Sequence, residues 1–423
     1  MRPSLGSLYR ESEERVLRLL TFLCGIAAVV FLSVCQSPQT EPLPGKGVEF
    51  TDSLSGAAVF RITDNSVDHY SGNGIQNEYA KADAYDYHDN YLVLRSNDGH
   101  FYVYDAANYQ QVQDLENLGG GQELEPRWSA GTHGTDHFYY LAGTRLMSYT
   151  PGNVLGTPVY DFIWAFPGSA YVTTGVEGDA SDDRDMWAFM ISDSLFHVMA
   201  VCVYDMSANA IVGRRDSFPD AVNFVTMDAS GRHVVVCYDS RPMQAFHPDF
   251  SHPVDFPAGA MGHSDVAWTM GSTDVMVYQN VSNDFICMTD LETGVETKLL
   301  EIPFGTNTDI GLHISGNCYA IPGWVLVSTY GAENPPNGSQ HSWMDNLLFM
   351  LELKESPRIY KVAHTHCYTG ERPKSHYFAE CFASVNRWGT KIVFGSNWGI
   401  FSPDDYTDAY EVRIPLGWQY GAE

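Results

Sequence analysis

Basic side chains are scarce in this sequence. The 423 residues include 24 Lys and Arg against 52 Asp and Glu, a formal net charge of −28. A nucleic-acid binder needs a basic face to displace counterions from phosphates, so that class of partner is excluded. Charge of either sign is sparse, at 18% of residues, which excludes a disordered polyelectrolyte and a coiled coil. There is no low-complexity tract, no phosphate-cradling Gly loop and no Gly-x-Ser-x-Gly nucleophile elbow. Long apolar runs are also missing. The stretch from Leu19 to Val34 falls short of the about 20 residues that span a bilayer.

Aromatic residues make up 13% and hydrophobic residues 44%, enough for a large core. Short apolar runs rich in β-formers recur seven times, beginning near Tyr91, Phe138, Trp187, Val234, Asp274, Val325 and Ile392. Most lie roughly 40–50 residues apart, and each unit holds several short strands, the signature of a β-propeller. The unit is clear where Met227-Asp-Ala-Ser-Gly-Arg-His233 leads into Val234-Val-Val-Cys-Tyr, and where Val385-Asn-Arg-Trp-Gly-Thr-Lys391 leads into Ile392-Val-Phe-Gly-Ser. Each is a strand, a tight Gly-containing turn, then a β-branched strand. A third strand ends in an acidic turn, as in Met288-Thr-Asp-Leu-Glu-Thr-Gly294.

The last repeat supplies three strands, around 378–385, 390–396 and 408–415, while Ala57–Thr63 is an orphan strand near the start. We therefore expect an all-β, seven-bladed β-propeller over 57–416. The N-terminal strand joins the last blade and closes the ring, which removes exposed sheet edges. The turn chemistry resembles propeller repeats of the TolB and WD-repeat type over most of 57–416, which implies the same fold. Residues 36–56 are expected to form a tether and 417–423 a C-terminal tail.

The N-terminus reads as an export signal over 1–35. Arg10, Arg15 and Arg18 precede the apolar stretch, which ends in Leu32-Ser33-Val34-Cys35. This resembles a bacterial lipoprotein signal with Cys35 as the lipidated residue, although Val34 stands where such signals carry a small residue. The alternative is an uncleaved N-terminal anchor. The expected location is periplasmic, cell-surface or extracellular, with membrane contact only through a lipid anchor. Of the eight cysteines, Cys202, Cys237, Cys287 and Cys318 lie in strand-like runs as small hydrophobes. Cys367 and Cys381 flank one loop and could pair.

In a propeller, the innermost strand of each blade lines the central channel and begins at the face where the second strand ends. Stepping back one hairpin from each second strand gives Lys81, Arg127, Glu177, Asn223, His263, His313 and Glu380, one polar side chain per blade. Such a set is either a solvated channel mouth or a functional one, and its imidazoles, cations and carboxylates favour the second. Leaving the second strands at the same face are Arg95, Tyr238, Arg241, Tyr330, Asn397 and Trp398. Trp398 and Tyr330 offer aromatic faces for sugars, or else pack between blades.

Three chemistries fit this mouth. His263, His313 and Glu380 could hold one divalent metal (Zn, Mn or Ca) with an open position. A neutral His or a Tyr could take the proton beside a sugar carboxylate, provided Arg127, Lys81, Arg241 or a metal neutralises that carboxylate. Or the mouth simply binds a polar ligand, with Lys81, Asn223, Arg241, Asn397 and Trp398 as contacts. The His, Tyr and Arg set on a seven-bladed propeller is similar to polysaccharide lyases of the ulvan-lyase and oligogalacturonate-lyase types. That resemblance implies β-elimination at a uronic acid of an acidic poly- or oligosaccharide. His263, His313 and Tyr330 would then be the acid/base groups and Arg127 would sit on the carboxylate. The rival is a non-catalytic surface propeller that binds a glycan or a protein. Two lesser clusters remain: His364-Thr-His366-Cys367 with His376 or Cys381 as a small metal site, and the acidic turn Glu177–Asp185 for Ca²⁺.

Overall fold

The structure is a computed structural model that describes residues 41–68, 74–118, 123–303, 310–331, 342–369, 377–400 and 406–423. The export signal, Cys35 and His376 lie outside the described residues. Contacts divide the chain into residues 1–43 and 44–423, and the second unit carries the repeats.

Five four-stranded antiparallel sheets and one nine-stranded sheet make up that unit. The nine-stranded sheet is the first and last blades joined. Blade one comprises Gly74–Gln76, Tyr91–Ser96, Phe101–Asp105 and Gln111–Asp114. Blades two to six have second strands Phe138–Ala142, Met186–Ser192, Val234–Tyr238, Asp274–Asn280 and Trp324–Gly331. In blade seven Ser384–Val385, Lys391–Ser396 and Thr407–Arg413 are followed outward by the N-terminal strand Ala58–Arg61. Ala58 pairs with Arg413 and Arg61 with Tyr410, so the strand expected to close the ring does so.

The propeller reaches past both expected boundaries. Glu49–Thr51 adds a fifth strand to blade seven, so the tether expected to run to residue 56 ends earlier. At the other end Trp418 is buried, donates from Nε1 to the Gly389 carbonyl at 2.7 Å and lies edge-on to Trp324 with centroids 4.9 Å apart. The expected C-terminal tail is thus docked on blades six and seven.

Seven hydrophobic clusters form the core, one between each pair of neighbouring blades. This explains why second strands read as unbroken apolar runs. Alternate side chains of a strand point to opposite faces, and a blade has a neighbour on both. In Val234–Tyr238 every residue is buried. Val234, Val236 and Tyr238 enter the interface with blade three, and Val235 and Cys237 that with blade five. Cys202, Cys237, Cys287 and Cys318 are buried free thiols, and Cys367 and Cys381 are also free.

The ring closure has one tight point. Thr407 and Asp408 of blade seven pair in parallel with Gly74 and Ile75 of blade one. Gly74 has φ +125°, and a Cβ there would collide with the backbone of Thr407. We expect Gly74→Ala to lower stability by about 2 kcal/mol or more, from strain plus overpacking, as read by urea unfolding.

Candidate functional site

The mouth is assembled around an irregular stretch of blade one. Its inner strand pairs regularly at Ile75–Gln76 and again by a bridge at Tyr85. Between them residues 77–82 leave the sheet and cross the channel. Asn77 donates to the Phe382 carbonyl beside blade seven. Glu78 meets Arg127 of blade two at 2.6 Å. The Tyr79 hydroxyl lies 3.2 Å from His263 Nδ1 of blade five. Lys81 Nζ sits 2.7 Å from Glu177 Oε2 of blade three and 3.6 Å from the Phe224 ring centroid of blade four. The Lys81 carbonyl accepts from Asn317 Nδ2 beyond the inner strand of blade six, and the Ala82 carbonyl from Ser384 Oγ of blade seven. One short segment therefore touches every other blade.

This crossing brings together Lys81, Glu177, His263 and His313 of the expected mouth set. His263 and His313 lie edge-on with centroids 4.3 Å apart. Tyr330 stacks on His313 at 5.3 Å with 23° between planes. Room for Tyr330 comes from Gly311 on the neighbouring strand, since a Cβ there would run into its ring. Tyr79 and Phe382 complete the surround of His313, at 5.3 and 4.7 Å. The sequence reading missed both. The signal was available, because Tyr79 stands two before Lys81 and Phe382 two after Glu380.

Burial favours the neutral form of both imidazoles and of the Tyr79 phenol. Burial, with Lys81 nearby, lowers the His263 pKa below its ordinary 6.5. Burial and the neighbouring His263 depress His313 well below that value. His313 is fully buried, and the Glu380 backbone is the polar group beside its ring. Burial, then the Glu177 charge, pushes the Tyr79 phenol well above 10, so it keeps its proton. His263 and Glu177, with the exposed Asn223, line a depression of about 310 Å³ at the mouth.

Other expected contacts go elsewhere. Arg127 is fully buried and all five of its donors are engaged: Nε with the Gly178 carbonyl, Nη1 with Glu78 and the Pro126 carbonyl, Nη2 with the carbonyls of Val176 and Gly178. A saturated guanidinium has nothing to offer a substrate carboxylate. Trp398, expected as an aromatic platform, is buried between Phe50, His366 and Tyr410. Asn397 is buried and bonded both ways to the Tyr368 backbone. Arg241 leans over Tyr238 toward Asp255 on the outer strand of blade four.

The expected metal trio is not formed either. Among the described residues, the groups of three ligands whose donor atoms lie within 4.8 Å of one another are His233–His247–Glu292 and Asp228–His233–Asp274. His263, His313 and Glu380 are not such a group among the described residues, and two imidazoles alone are a poor set for a hard, oxygen-preferring cation. The acidic turn Glu177–Asp185 fans out to separate partners: Lys81 for Glu177, Arg184 for Asp179, Arg387 for Asp182 and His133 for Asp185. His364 turns to Asp52 at 3.1 Å.

Below the mouth Asp265 is buried on the inner strand of blade five, accepting from the Val266 and Gly316 amides. Burial raises its pKa to about 7. The folded protein thus holds a proton that the unfolded chain has released above about pH 4. Unfolding releases that proton, so stability falls as pH rises from about 4 to 7. In Asp265→Asn, which cannot ionise, urea midpoints should vary less across that window.

No family profile and no curated protein sequence matches this chain. Among the solved structures that share its fold are two oligogalacturonate lyases. An oligogalacturonate lyase in complex with manganese superposes with a TM-score of 0.58 at 15% identity, over 89% of this chain and 98% of that one. An oligogalacturonate lyase from Vibrio parahaemolyticus gives 0.58 at 13% identity, over 88% and 100%.

Proposed function

We propose that this propeller is a lyase that cleaves a uronic-acid-containing glycan by β-elimination at the mouth. The observation that carries the reading is the Tyr79–His263 contact across the channel, with Lys81 beside it and both imidazoles held neutral. Neutral His263 opens into the depression and can act as a base. With Nδ1–H donated to the Tyr79 oxygen, its Nε2 carries the lone pair that takes the proton next to the uronate carboxylate. The electron pair left on that carbon forms the new double bond as the glycosidic oxygen leaves. Tyr79, which stays protonated, is the donor placed to return a proton to that oxygen. Lys81 is the cation whose charge reaches the base, and it offsets the charge that develops on the substrate carboxylate. His313 is a positioning residue that fixes the His263 ring. No step is routed through a metal, because the described mouth residues do not make a fitting ligand set. Export, with Cys35 as a lipid anchor, would place the enzyme where acidic polysaccharides are met.

One observation favours a second reading. Lys81, Arg95 and Arg127 already face Glu177, Glu123 and Glu78, which suits a non-catalytic mouth that binds a glycan or a protein. Incubation with ulvan, pectate and alginate separates the two. Elimination leaves an unsaturated uronate whose conjugated carboxylate absorbs in the ultraviolet. No rise with any polyuronate, alongside retained binding on a glycan array, would leave only the binding reading.

A further inference from the structure

The opposite face carries a second cluster that the mouth does not explain. His233 ends the turn between the first and second strands of blade four, and His247 follows the third strand of that blade. Glu292 lies in the turn after the third strand of blade five. All three turns lie at the end of the disc away from the mouth. His233 Nε2 is 2.9 Å from Glu292 Oε2, and His247 Nε2 is 3.3 Å from the same oxygen. Behind His233, its Nδ1 lies 2.6 Å from Oδ2 of the fully buried Asp228.

The contacts leave a charge to be accounted for. Asp228 is an acceptor, so His233 donates its Nδ1–H to it. The His233 Nε2 points at a Glu292 carboxylate oxygen at hydrogen-bond distance, so the ring stands between two carboxylates and calls for a positive charge at Nε2, a second ring proton or a cation in its place. His247 brings a second imidazole nitrogen to that oxygen. A proton satisfies one of these contacts, whereas one metal ion would serve all three donor atoms, which lie within 4.8 Å of one another. The buried carboxylate behind the imidazole is the arrangement that orients a metal-bound histidine and raises its basicity.

We propose that His233, His247 and Glu292 form a site for one borderline first-row divalent cation, zinc or a close relative, bridging blades four and five. Two imidazole nitrogens and one carboxylate suit such an ion and leave a coordination position open. That position faces a cavity of about 790 Å³, which these residues line with Arg232, Asp249 and Asp274. The second candidate group does not compete. Asp274 is already engaged by Trp268 Nε1, Ser230 and the Arg232 guanidinium.

The test uses the full chain, without a histidine tag, stripped with chelator and titrated with zinc chloride by calorimetry. Cobalt substitution gives a second readout through its visible d–d bands. We expect one equivalent of zinc that depends on His247 and Glu292. His247→Ala and Glu292→Gln change a half-buried and an exposed side chain, so both variants fold. Each should lose that equivalent. Asp228→Asn should weaken binding by about 10–100-fold, the cost of losing a supporting carboxylate, and His263→Ala should leave this equivalent intact. The proposal is overturned if the wild-type chain takes up no zinc. It is equally overturned if His247→Ala and Glu292→Gln bind like wild type, or if the zinc is lost in His263→Ala instead.

Discussion

His263→Ala should reduce turnover of a polyuronate by about 10²–10⁴-fold, the contribution of a well-placed general base. The fall should appear in kcat and kcat/KM together, since the base acts in the transition state. The side chain is only partly buried and its one polar contact among the described residues is with Tyr79, so Tm should move little. Burial and Lys81 hold the free imidazole below its ordinary pKa. The acid limb of the kcat/KM profile should therefore lie below pH 6.5, with activity rising through it as the ring loses its proton. Tyr79→Phe keeps the ring against His313 and removes only the hydroxyl, and should lower kcat by less. A large loss of Tm in His263→Ala, with activity per folded molecule unchanged, would make this histidine a packing residue.

Arg127→Ala should produce the largest loss of stability, about 3–5 kcal/mol in urea unfolding, because it strands a buried carboxylate. Glu78 would lose the guanidinium that meets it at 2.6 Å, and the carbonyls of Pro126, Val176 and Gly178 would lose their donors. Arg127→Lys should recover little, since an ammonium cannot reproduce a five-donor planar fork. Replacing both partners, as in Arg127→Met with Glu78→Gln, should recover part of the loss. What folds in any of these variants should keep its specific activity, because Arg127 presents no free donor to the mouth. A variant that remains as stable as wild type but inactive would return Arg127 to the substrate carboxylate.

These two residues mark how far the sequence could be read. Both were singled out by the same count back from a second strand. The count placed His263 and His313 together, since strand parity sends residues of like register to like faces. It could not tell that the guanidinium of Arg127 turns inward, because that depends on Glu78, which sits on the segment that leaves its sheet. Trp398 illustrates a similar limit. A large aromatic in a tight Gly-containing turn reads as exposed, yet Phe50, on a strand that was read as tether, packs against it.

The linear pattern alone determined the number of blades, where their second strands begin and how the ring closes. Those features follow from local periodicity and from the burial of both faces of every blade. Tertiary structure alone decided which mouth residues are free to act. Residues 77–82 cross the channel and pair with side chains far away in the chain, and no local regularity encodes that path. The same holds for His233, His247 and Glu292, which meet only because two neighbouring blades stand side by side.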